Sequence, residues 1–150
     1  MHSKLCRIAF SLREQSTAVV GVIATKMSLR RKIYIEVHRG EFISRQTRTA
    51  RTIHTQCSQL NHQRTLDGNC DEIVASLKEV LGKHCSMLDR VLKPIVLLHL
   101  VPKRDGGYTA SELAIFKQLC EKAGAGFCLL CDDKYGPLTD AQLKEVFQFW

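Results

Sequence analysis

Residues 32–46, KIYIEVHRGEFISRQ, decide the fold. Ile33, Ile35 and Val37 alternate with Tyr34, Glu36 and His38, the period-two pattern of a strand that turns one face to a core. Arg39-Gly40 then offers a tight turn, because glycine takes positive φ without steric cost. Residues 41–46 read as the returning strand, with Phe42 available to the core and Arg45 near the exposed end. Residues 51–56 form a weaker third strand in which Thr52, Ile53 and Thr55 favour extended backbone. These three segments predict an antiparallel meander.

Beyond the meander the period changes. Residues 61–69 are polar and contain Asp67-Gly68, a loop signal. Ile73, Leu77, Val80 and Leu81 recur at helical spacing and place an amphipathic helix over 70–83. Pro94 interrupts the next stretch, and IVLLHLV after it reads as the central strand, covered on both faces. After the turn residues Asp105, Gly106 and Gly107, Thr109-Ala110-Ser111-Glu112 is a capping box, and Leu113, Phe116, Leu119 and Cys120 mark the buried face of the helix it starts. Gly124 or Gly126 can end that helix in the left-handed conformation. FCLLCDD (127–133) reads as a short buried strand, Gly136-Pro137 as a turn, and Thr139 as the cap of a last helix carrying Leu143, Val146 and Phe147. The order is βββαβαβα, an α/β domain with a mixed sheet in which the strands flanking the second helix are parallel neighbours.

Nothing in the composition asks for a second domain. The chain has 150 residues, 45% hydrophobic and 25% charged, and no repeat or linker divides residues 27–150. Its longest apolar runs, 18–24 and 95–101, are far shorter than the roughly 20 residues of a membrane span. Residues 1–26 carry four basic side chains and only Glu14, without the cleavage pattern of a secretory signal. They read as an extended gene start or a leader outside the core, with Met27 as initiator. Seven cysteines in irregular spacing argue against a disulfide framework and for a reducing cytoplasm.

The net charge of +7 is unevenly placed. Residues 1–66 hold 12 Lys or Arg against 3 acids, and residues 67–150 hold 10 against 12. A basic half of this kind points either to a solvated, edge-protecting surface or to an acidic partner such as nucleic acid. The candidate interaction surface is the meander, with Arg31, Lys32, Arg39, Arg45, Arg48 and Arg51 around Tyr34 and Phe42 as stacking groups. An exposed strand edge there also suits pairing with a protein partner.

Between residues 73 and 133, PIVLLHLVP, TASELAIFKQLCEKAGAG and FCLLCDD resemble the rod-shape-determining MreB family of bacterial actin homologues. The resemblance implies a ribonuclease-H-like fold and short bacterial relatives that keep only the first actin-like subdomain, some of them stress-related. It also implies the site that such ATPases use, an Asp-x-Gly-Thr phosphate turn after the first strand. Glu36-Val37-His38-Arg39 stands at that place, so the acid survives only as Glu36 and His38 replaces the glycine. Asp132 or Asp133 would match the acid that positions water. The second phosphate loop and the adenosine region belong to a part of the family fold that these residues do not include, so no ATPase activity and no cofactor are expected.

The remaining chemistry is thin. A ribonuclease-H-type nuclease needs converging carboxylates on metal ions. Glu36 and Glu72 or Glu79 are candidates, but the apolar strand offers His99 where an acid would serve, and solvated surface acids are the expected reading. Cys128 and Cys131 have C-x-x-C spacing, yet on a strand they point to opposite faces, and Cys57, His62 and Cys70 supply no regular second pair, so no metal is expected. The sequence therefore predicts a non-enzymatic interaction or regulatory module, with nucleic-acid binding through the basic meander second and a degenerate metal nuclease third.

Overall fold

A computed structural model describes residues 29–49, 51–61, 70–101, 108–131, 136–148 and 150. Strands β1 (Lys32–His38), β2 (Glu41–Gln46) and β3 (Thr52–Gln56) form the antiparallel meander, closed by one 3-10 turn at Ser58–Asn61. Helix α1 (Cys70–His84) and a short α2 (Met87–Leu92) lead to β4 (Ile95–Leu100), and α3 (Ala110–Lys122), β5 (Phe127–Cys131) and α4 (Asp140–Phe147) follow. The sheet runs β3-β2-β1-β4-β5, with β1, β4 and β5 mutually parallel. The expected leader, the loop around Asp67-Gly68, the turn at 105–107, His62, Asp132 and Asp133 lie outside the described residues.

Register sorts the side chains into two layers. Ile33, Ile35 and Val37 sit beside Val96, Leu98 and Leu100, and this face packs on Ile73, Leu77 and Val80 of α1 and Phe116 and Leu119 of α3. Burial of each such side chain contributes about 1.5–3 kcal/mol. The other face sets Tyr34, Ile95, Leu97, Leu129 and Cys131 against Leu138, Leu143 and Phe147 at α4. The second face is thus covered over β1, β4 and β5, while Thr52, His54 and Gln56 of β3 stay exposed on it.

Two expectations are corrected by this layering. The central strand is β1, while β4 lies between β1 and β5. An apolar run identifies an interior strand, but not which interior place it takes. The second correction concerns β1 itself, which was expected to show Tyr34, Glu36 and His38 to solvent. Ile33 through Val37 are all buried, because α4 covers the second face.

Local chemistry sets the helix ends. Thr109 and Thr139 accept from the backbone N–H of Glu112 and Gln142, whose side chains accept in return from the cap backbone, two complete capping boxes. Gly124 ends α3 at φ +114, a conformation that strains any residue with a Cβ. Gly126 serves a different need, since a Cβ there would lie 2.8 Å from Lys93 Cβ and 3.0 Å from the Lys93 carbonyl oxygen.

Helix α2 and the 3-10 turn were not expected. Ser86 caps α2 with a capping box to Asp89, and Pro94 forbids its continuation. Six residues cannot hold a helix by propensity alone. The anchor is Arg31, whose Nη2 lies 2.8 Å from Asp89 Oδ2, with the Ser86 N–H and hydroxyl donating to the same oxygen at 2.9 and 2.8 Å.

The Arg31 guanidinium draws the Asp89 carboxyl down to about 2 from its ordinary 3.8. A carboxyl depressed in the folded state contributes stability that is complete above the ordinary value and drains away as pH falls toward the folded one. Unfolding free energy should therefore decline between about pH 4 and pH 2 through this group, and Asp89→Asn should lower stability at neutral pH and flatten that part of the profile. Denaturant melts of both proteins across this window measure it.

Candidate functional site

Glu36, at the position where an actin-like site would hold its first acid, is 5% exposed. Burying a carboxylate demands paired donors. His38 supplies one, its Nε2 lying 2.8 Å from Oε2, and Arg45 the other, with Nη2 3.5 Å from Oε1. Arg45 stands opposite Tyr34 in the antiparallel register, so its guanidinium lies over the Tyr34 ring at 5.1 Å. It also donates to the Leu138 carbonyl at 2.6 Å and to Asp140 Oδ1 at 3.1 Å.

The Tyr34 hydroxyl completes this cluster. It accepts from the Leu138 N–H at 3.1 Å and shares a 2.7 Å hydrogen bond with His99 Nδ1. Burial pushes the phenol above its ordinary range, so it stays protonated. His99 neighbours Glu36 on one side and Cys131 on the other in the parallel register. A polar row thus crosses β1, β4 and β5 beneath α4.

The row does not gather a metal centre. Glu72 lies on α1, across the sheet from Glu36, where it accepts from Ser58 Oγ at 2.6 Å and Gln59 Nε2 at 2.9 Å. Glu79 pairs with Lys83 at 2.7 Å on the same helix. Among the described residues no three His, Cys, Asp or Glu side chains come together to hold a metal ion. Cys128 belongs to the core under α1 and α3, Cys131 to the one under α4, so their sulfurs face apart as the strand geometry requires. Cys57 is buried and Cys70 half-buried.

The basic meander is divided. Tyr34 is wholly buried and Phe42 with it, so the stacking roles expected of them are withdrawn. Arg31 is spent on Asp89, Lys32 donates to the Phe147 carbonyl at 2.6 Å, and Arg45 serves Glu36 and Leu138. Burial, then the charge of Arg48, lowers the Lys32 pKa, as its enclosed position requires. Arg39, Arg48 and Arg51 remain exposed. Arg48 and Arg51 stand near the start of β1, whereas Arg39 follows its end, a strand length of about 20 Å away. The expected surface is thus not one stripe.

Sequence reasoning missed another exposed group. Met87, Leu88 and Val91 on α2 are 86%, 73% and 82% exposed. Their signal was a Ser86-x-x-Asp89 cap and a Pro94 stop enclosing MLDRVL, whose Met87, Leu88, Val91 and Leu92 share one helix face. Among the described residues no helix is long and apolar enough to cross a membrane. No family model, curated protein or solved structure matches the chain.

Tyr34→Phe separates an internal tyrosine from a surface one. It strips a partner from the Leu138 N–H and from His99, and should lower unfolding free energy by about 1–3 kcal/mol. A tyrosine on the surface would change it by less than about 0.5 kcal/mol. Urea titration with an unchanged m-value decides.

Proposed function

We propose that the chain is a non-enzymatic protein-interaction module, an isolated actin-like subdomain of the MreB type acting in the bacterial cytoplasm in cell shape or stress response. The observation that carries the non-enzymatic reading is the state of Glu36. The acid that would meet a phosphate-bound metal is buried, its two oxygens taken up by His38 and Arg45. Support for the fold comes from three antiparallel strands followed by parallel crossovers, the arrangement the resemblance implies. Partner binding is supported by two surfaces left open among the described residues: the β3 edge, whose Thr52, His54 and Gln56 are exposed, and the apolar side of α2.

Nucleic-acid binding is the weaker reading. Electrostatic binding needs several cations on one track, and three of the six arginines and lysines named for it are engaged internally. A metal nuclease is weaker still, because Glu36 and Glu72 occupy opposite faces of the sheet.

Calorimetric titration with ATP and magnesium should give no binding, and magnesium or manganese should give no cleavage of single- or double-stranded probes. Gel shifts at low ionic strength should show no salt-dependent complex. Stoichiometric ATP binding, or cleavage lost in Glu36→Ala, would overturn the reading.

A further inference from the structure

Helix α2 is amphipathic the wrong way round. Its one buried residue is Asp89, fastened by Arg31 and Ser86, while Met87, Leu88, Val91 and Leu92 face outward at 86%, 73%, 82% and 37% exposure. Contiguous apolar surface of this kind on a folded domain marks an interaction site. The inward ion pair fixes the orientation, since turning the apolar side in would leave Arg31 and Asp89 without each other.

A groove opens beside the helix. A cavity of about 390 Å³ lies between α1, α2 and the end of α3, lined by Leu81, Gly82, Cys85, Pro94 and Ala123 and by the basic side chains Lys78, Arg90 and Lys93. Gly82 is not required by the chain's own packing, because a Cβ there would meet nothing closer than Arg90 Nη2 at 3.5 Å. Glycine nonetheless weakens a helix at this position relative to alanine. It keeps the groove open for an incoming side chain. Among the described residues Arg90 and Lys93 have no acidic partner, since the adjacent Asp89 is turned inward to Arg31.

We propose that the outward face of α2 and this groove dock an acidic amphipathic helix of another protein, its apolar side chains on Leu88 and Val91 and its carboxylates at Arg90 and Lys93. This deepens the interaction reading and rests on it. Charge and shape select the occupant. A second copy related by a two-fold axis would bring Arg90 and Lys93 against their own equivalents. Residues 1–28 of the chain carry four basic side chains and one acid, the same sign as the groove's basic side chains. A bilayer surface suits basic and apolar groups but cannot enter a concave groove, whereas one side chain of a helix can.

The test is photo-crosslinking of the full chain in living cells of its source, with the reactive residue at Leu88 or, separately, at His54 on the β3 edge. Both positions are exposed, so the fold should persist, and circular dichroism checks it. Adducts at position 88 should map to a segment with apolar residues at helical spacing and flanking Asp or Glu. Their yield should fall about tenfold with Arg90→Glu plus Lys93→Glu, and with Gly82→Leu, which fills the groove. Adducts at 88 with lipid, with a second copy or with the chain's own first 28 residues would overturn the proposal. Protein adducts at His54 alone would overturn it while leaving an interaction module standing, and adducts at neither position would remove both.

Discussion

Tyr34, Glu36 and His99 form a buried polar row on one face of β1 and β4, and the second layer of the molecule is built to satisfy it. Leu138 meets the row with both backbone groups, its N–H on the Tyr34 hydroxyl and its carbonyl on Arg45. Arg45 in turn touches Glu36, the Tyr34 ring and Asp140 at the start of α4. An unsatisfied group in such a place costs far more than a satisfied one contributes. Once β1 carries these side chains inward, the chain after β5 has little freedom in where it crosses. Leu143 and Phe147 then pack where the crossing leaves them.

This internal satisfaction bears on function. An acid available for catalysis must retain capacity for substrate, metal or water. Glu36 has its carboxylate flanked by His38 and Arg45, and through Arg45 it is tied to β2 and to Asp140 at the start of α4. The opposite economy governs α2. There an ion pair is turned inward and apolar residues stand outside, where they add nothing to the core. One region has its polar groups closed off, and the other has its apolar groups left open.

What was legible in the sequence is what local chemistry determines. Thr109 with Glu112 announces a helix start because cap and partner are three residues apart, Thr139 marks another, and of Gly124 and Gly126, both legible as helix ends, Gly124 takes the positive φ. The buried stripe of α1 was readable from Ile73, Leu77, Val80 and Leu81 because helical spacing shows it directly. The fate of Tyr34, Glu36 and Arg45 was not readable. Their partners lie at Leu138, His99 and Asp140, and a polar residue facing a hidden network has the same letter as one facing water. Helix α2 escaped for a related reason, since its anchor to Arg31 spans 58 residues and its six residues are too few to establish a period. The candidate surface was therefore placed on the basic meander, where half of its charges turn out to be engaged.

A double-mutant cycle on Glu36 and Arg45 tests the central claim, that the acid of the would-be site is a structural member of the second layer. Glu36→Gln and Arg45→Met should each destabilise the fold, with a coupling energy of about 1 kcal/mol or more between them. Additivity within about 0.3 kcal/mol, together with a rise in stability on Glu36→Gln as expected for an acid kept for activity at the expense of the fold, would contradict it.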